Sequence, residues 1–195
     1  WEFQNKLILM SNFFKVKKKI KSFDKIISVD GDKSLSIRWV LISSLAAGIS
    51  EAKNLLMSED VLAAIKVIKK LGIKVKLNSK LCKIYGKGIG GYKYKKNLTL
   101  NAENSGTLGR LILGLIVNSP NVIKLTGDKS LSKRDFKRVT DPLSKFGTNF
   151  RLKNNNGLPL EIRGKKDLKP IFYKENRGSA QCKSSVIFAG MRANG

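Results

Sequence analysis

The sequence predicts an α/β (α+β) fold made by repeating one supersecondary unit: strand, helix, strand, helix, strand, strand. Three observations carry that expectation. Apolar patterning runs through this order once over residues 25–85 and again over residues 98–162. KKLGIKVKL at 69–77 and SKFGTNFRL at 144–152 hold the same place in the two runs, as helix end, glycine and strand. Each is followed by a strand closing on glycine, at Gly86 and at Gly164, and a third helical opening starts near Ser179. Recurrence of a whole unit is the mark of a repeat architecture. Chance recurrence of common helix–glycine–strand grammar is the alternative.

The elements follow in order. KIISV at 25–29 reads as a short strand. SLSIRWVLISSLAA at 34–47 reads as a helix, with Gly48 placed to end it. Residues 51–55 make a strand. Ser58 is a good N-cap, Glu59 and Asp60 suit the positive end of a helix, and VLAAIKVIKKL continues with helical spacing up to Gly72. IKVKL at 73–77 alternates as a half-buried strand, residues 81–85 are its hairpin partner, and 86–91 is a glycine-rich turn. In the second run, 98–100 is a strand and Asn104 and Ser105 cap an apolar helix over 107–117. Residues 122–125 form a strand. A helix then spans about 134–146 and stops at Gly147, with Pro142 expected to kink or restart it. Residues 148–152 and 158–162 form the closing strand pair.

Composition narrows the function classes. The chain has 195 residues, of which 42% are hydrophobic, so it buries an ordinary core and is not a disordered chain. Two cysteines, Cys82 and Cys182, exclude a disulfide scaffold. The chain has no histidine and no Cys-x-x-Cys, so neither a zinc site nor a serine–histidine triad is expected. No run approaches the ~18 apolar residues of a membrane span. The formal charge of +25 comes from 31 lysines and eight arginines against 14 acids. Such a charge is the footprint of a nucleic-acid binder. Phosphate and base readout favours arginine, however, and here lysine dominates and is spread along the chain, apart from one cluster at 15–21. Lysine filling solvated positions is the preferred reading, and no nucleic-acid partner is expected.

Three helices start on small polar residues: at Asp32-Lys33-Ser34, at Asn104-Ser105-Gly106-Thr107 and at Gly178-Ser179-Ala180-Gln181. A helix N-terminus presents free N–H groups and partial positive charge, so it attracts anions. Taken singly, each start is explained by capping alone. Taken together, pseudo-symmetric repeats can bring equivalent starts to one place, and each start carries a cation: Lys33 and Arg38, Arg110, and Lys183. Arg134 adds another. An arginine inside the apolar helix at 107–117 needs a partner, either an anionic ligand or an internal acid. GDKSLSIR at 31–38 recurs as GDKSLSKR at 127–134, but the first precedes an apolar helix and the second a charged one, so different roles are expected.

GDKSLSIR (31–38), NSGTLGR (104–110), GDKSLSKR (127–134) and GSAQCKS (178–184), in this order and spacing, closely resemble the N-terminal part of the 5-enolpyruvylshikimate-3-phosphate synthase (3-phosphoshikimate 1-carboxyvinyltransferase) family. The resemblance runs from about residue 30 to residue 195. It implies an inside-out barrel of βαβαββ units, of the enolpyruvyl transferase type, here incomplete. Residues 1–30 would be an N-terminal extension and the first strand of an otherwise missing domain. Residues 31–195 would be a partial domain of two units plus the start of a third. Met10 is a plausible true start, with residues 1–9 as upstream translation.

The implied reaction moves the enolpyruvyl group of phosphoenolpyruvate to the 5-hydroxyl of shikimate 3-phosphate, releasing phosphate, in the shikimate pathway to chorismate and the aromatic amino acids. No metal or organic cofactor is implied. The implied setting is a cytoplasmic enzyme, monomeric when complete, whose half-length fragment lacks turnover. Residue by residue, Lys33 resembles the lysine between both substrates and is the one implied catalytic residue. Lys33, Ser34, Arg38, Ser179, Ala180 and Gln181 resemble ligands of shikimate 3-phosphate. Lys33, Asn104, Gly106, Thr107, Arg134 and Gln181 resemble those of phosphoenolpyruvate. Asp135 stands where many members have proline, and Gly109 where a methionine is usual. The sister family, UDP-N-acetylglucosamine enolpyruvyl transferase, is disfavoured because its reactive cysteine lies in a Gly-Cys loop, whereas Cys82 falls in a strand pair and Cys182 in a helix start.

Overall fold

The computed structural model describes residues 17–18, 22, 24–78, 81–153, 156–176 and 178–195. The proposed start at Met10 and Lys15, Lys19 and Lys21 of the lysine cluster lie outside them.

The first unit runs α1 (Lys33–Leu45), β1 (Ala47–Lys53), α2 (Glu59–Lys70), β2 (Lys74–Leu77) and β3 (Leu81–Lys87). The second runs β4 (Leu98–Asn101), α3 (Gly106–Ile116), β5 (Ile123–Thr126), α4 (Lys137–Ser144), β6 (Asn149–Lys153) and β7 (Gly157–Arg163), and α5 (Ala180–Gly190) opens a third. The two sheets have orders β1-β3-β2 and β4-β5-β7-β6, and β4 pairs parallel with β5 while the other pairs are antiparallel. Helices lie inside and sheets outside. All eleven residues of α3 are buried, as an all-round apolar helix requires, whereas β2, β6 and the second half of β1 alternate between covered and exposed positions.

The repeat is visible in the joints. Gly86, near the end of β3, lies so close to the end of α1 that an added Cβ would sit 2.2 Å from the Ala46 carbonyl oxygen. Gly164, just past β7, meets the end of α3 in the same way, with Cβ 2.5 Å from the Val117 oxygen. In each unit an amide just past the glycine takes up a carbonyl at that helix end: Gly88 N to Ala46 O at 3.0 Å, and Lys165 N to Val117 O at 3.1 Å. Only a residue without a side chain lets strand and helix end meet like this. Gly72 stops α2 in the left-handed region (φ 87°). Its N–H reaches Lys69 O and the Ile73 N–H reaches Ile68 O, both at 3.0 Å, which is the Schellman arrangement.

Four expectations need correction. Residues 24–30 form no strand, and Ile26, Ile27 and Val29 are exposed, because among the described residues no strand lies beside them to pair. The helix from 34 ends at Leu45 rather than 47, because Ala46 is already extended and the strand expected at 51–55 begins at Ala47, paired with Lys87, so that Gly48 lies in β1 opposite Gly86. The glycine-rich turn starts later than expected, because β3 continues to Lys87. The helix expected at 134–146 is shorter: Arg134 is extended and follows a 3-10 turn at Leu131–Lys133, α4 covers only Lys137–Ser144, and Pro142 sits inside α4 without restarting it. The proline removes the N–H that would bond the Arg138 carbonyl. The Cys182 thiol from α5 donates to that carbonyl instead, at 3.4 Å.

Candidate functional site

The three small-residue helix starts are all real caps. Asp32 accepts from Leu35 N at 2.7 Å, Ser105 from Leu108 N at 3.3 Å and Ser179 from Cys182 N at 3.3 Å. In each case the cap uses the third amide of the helix, and the first two amides have no intrahelical partner. Asn104 does not cap. Its side-chain amide donates to Asp128, drawn away by a carboxylate that also accepts from Leu131 N. Those two bonds, the backbone one first, hold the Asp128 carboxyl below the usual range. The repeated GDKSLS thus makes the same aspartate-to-amide bond twice, capping α1 at Asp32 but at Asp128 only leading into a 3-10 turn whose N-cap is Ser130.

Side-chain contacts draw the three starts together. Across α3 and α5, Arg110 Nη1 donates to Gln181 Oε1 at 2.8 Å and Gln181 Nε2 donates to Thr107 Oγ1 at 3.0 Å. Ser185 Oγ donates to Arg110 O at 2.9 Å. Gly114 lets the two helices touch backbone to backbone, for an added Cβ would lie 2.1 Å from Ser185 O. Across α1 and α5, Arg38 Nε and Nη2 donate to Ser184 Oγ, each at 3.4 Å, while Nη1 returns to Ser34 O at 3.2 Å.

Gly106 sits at the centre. A Cβ there would lie 2.9 Å from Arg134 Nη1 and 3.0 Å from Arg110 Nη1, so two guanidinium groups from different elements converge on the one residue that offers them room. Among the described residues the ion pairs are Lys33–Asp60 and Lys83–Glu51, and neither arginine takes part. Arg110 therefore has no internal acid as its partner among the described residues. It is buried, held by Gln181 and by a long bond to Gly106 O, and stacked on the Phe136 ring, with its carbon 5.5 Å from the centroid. Burial first, then the nearby Arg138 and Arg134, lower its pKa. Its Nε, like that of Arg138, is buried with no partner. The result is a recess of crowded positive charge, which an anion relieves.

Lys33 turns aside to Asp60 at 3.3 Å, on the first turn of α2, rather than toward Gly106. Gly109 is buried in the first turn of α3, where a Cβ would lie 3.3 Å from the Phe136 ring. Asp135 spends its carboxylate on Lys137 N, at 2.8 Å. The sequence had not singled out Ser184, Phe136 or Arg138 for the site. It had singled out Asp60 only as a helix-dipole acid.

Comparison with known proteins identifies the family of the chain. The family model described as EPSP synthase (3-phosphoshikimate 1-carboxyvinyltransferase) matches residues 17–195. The 3-phosphoshikimate 1-carboxyvinyltransferase of Desulforamulus reducens is 44% identical over 90% of this chain and 41% of its own length. That of Streptococcus suis is 40% identical over 93% and 42%. An EPSP synthase structure from Acinetobacter baumannii superposes with a TM-score of 0.81 at 33% identity, covering 87% of this chain and 38% of that one. The chain thus spans about two-fifths of the length of the relatives it matches. It belongs to the EPSP synthase family.

Proposed function

We propose that residues 31–195 carry one half of an active site that transfers the enolpyruvyl group of phosphoenolpyruvate to the 5-hydroxyl of shikimate 3-phosphate, releasing phosphate. The reaction protonates the methylene carbon, lets the hydroxyl attack, and eliminates phosphate from the tetrahedral adduct. Both substrates are anions, so the site must first overcome their repulsion and align them. The observation that carries this reading is the recess at Gly106, where Arg110 and Arg134 converge without an ion-paired acid among the described residues.

In this reading Arg134, Gly106, Thr107, Asn104 and Gln181 take phosphoenolpyruvate. Ser34, Arg38, Ser179, Ala180 and Gln181 take shikimate 3-phosphate. Lys33 leaves Asp60 to lie between the two substrates, as the catalytic cation of this half. Residues 24–30 lead toward a second domain, which accounts for the exposed Ile26, Ile27 and Val29. The enzyme is a cytoplasmic monomer when complete, and this half binds without turning over. Isothermal titration of residues 1–195 with shikimate 3-phosphate, and with shikimate as control, tests the reading. Saturable binding that needs the phosphate supports it. Equal or absent binding of both rejects it.

A further inference from the structure

We infer that Cys182 is a positioning residue: its thiol replaces the backbone donor that Pro142 removes and so clasps α4 to α5 at the recess. The inference rests on the function proposed above for what the recess binds, but not for the clasp itself.

The need for a donor arises in α4. In a regular helix the N–H of residue 142 would bond the carbonyl of Arg138, four residues earlier. Proline has no N–H, so that carbonyl is left over in a packed interior, where an unpaired acceptor is destabilising. Cys182, a residue only 1% exposed, meets it from the neighbouring helix at 3.4 Å. A thiol is a weak donor, and in a dry contact with no competing water it suffices.

The clasp sits where small shifts matter. Cys182 is held twice: its N–H goes to Ser179 Oγ at 3.3 Å and its thiol to α4. The residue before it, Gln181, bonds both Arg110 and Thr107. On the other side, the segment entering α4 supplies Arg134 to Gly106 and Phe136 to the face of Arg110. Fixing α4 against α5 therefore fixes the distance between the two guanidinium groups and the glutamine that aims one of them. A loosened clasp lets the groups separate under their own repulsion.

The test is a double-mutant cycle on residues 1–195, read by urea unfolding and by titration with shikimate 3-phosphate. Cys182→Val removes the donor and adds one methyl group, a packing change common to both backgrounds of the cycle. Pro142→Ala restores the N–H inside α4, which makes the thiol redundant. The expected result is that Cys182→Val weakens binding by about fivefold, the worth of one modest hydrogen bond. Placed on Pro142→Ala, the same change should weaken it by less than about twofold, and the unfolding midpoints should show the same coupling. An equal loss in both backgrounds would make Cys182 a packing residue only and overturn the inference. So would unchanged binding in Cys182→Val alongside tight binding by the parent. If the parent itself does not bind shikimate 3-phosphate, the proposed function fails. The unfolding cycle then judges the clasp alone, with additive midpoints overturning it. Should Cys182→Val not fold, Cys182→Ser serves in its place. It retains a donor, so parent-like binding supports the clasp and a fivefold loss refutes it.

Discussion

Replacing Gly106 with alanine separates binding from folding more cleanly than any other change to the site. The backbone there is not left-handed, so alanine introduces no strain, and at the first helical position it is, if anything, the better residue. The new methyl carbon would lie 2.9 Å from Arg134 Nη1 and 3.0 Å from Arg110 Nη1. Comfortable contact starts near ~3.5 Å, so each group must retreat by roughly half an ångström. Arg134 is exposed and can move. Arg110 is pinned by Gln181 and the Phe136 ring, so it moves at the expense of those contacts. The fold should therefore lose no more than about 1 kcal/mol in urea unfolding, the worth of the Arg110–Gln181 bond. The anion loses one charge-assisted hydrogen bond, about 1.5–3 kcal/mol, or ~10- to 100-fold in affinity. In a chain completed to the length of its relatives, steady-state kinetics should show the loss in the KM for phosphoenolpyruvate. An unchanged KM in a stably folded variant would refute the placement of that substrate at Gly106.

Three further outcomes are expected. In the same completed chain, Lys33→Ala and Arg134→Ala should each remove most activity while leaving the unfolding midpoint near that of the parent, since both side chains are exposed; normal rates would reject the roles given to them. Gly114→Ala should destabilise by about 3 kcal/mol or prevent folding, because its Cβ would meet the Ser185 carbonyl backbone at 2.1 Å, and urea unfolding checks this. Alkaline titration should also reveal Tyr92, whose hydroxyl lies 2.7 Å from Ser44 Oγ and whose pKa burial pushes up to about 12. The unfolded chain ionises it near ~10, so its contribution to stability is full below that pH and is lost as the pH rises through about 12. Tyr92→Phe should remove that alkaline step.

What the sequence conveyed was local grammar. Gly72, Gly86 and Gly164 are legible because the conformations and close approaches they serve admit few other residues. Ser105 and Ser179 are legible because capping is chemistry over three residues. The boundaries that failed were set at long range. The end of α1 depends on Gly86, about forty positions away, and the partner of the Arg138 carbonyl is Cys182 on another helix. The same division runs through the site. Motifs located Gly106, Arg134 and Gln181, but nothing local indicates that Arg110 rests on Phe136, that Arg38 reaches Ser184, or that Lys33 pairs with Asp60. The apolar run at 25–29 predicts a strand, but a strand also needs a neighbour to pair with.

The central claim is that the starts of α1, α3 and α5 form a single anion site. Amide NMR of residues 1–195 during titration with shikimate 3-phosphate tests it most directly. The account predicts that Ser34, Gly106 or Thr107, and Ala180 or Gln181 shift together along one saturation curve. Shifts confined to lysine-rich surface segments, with the three helix starts unmoved, would contradict it.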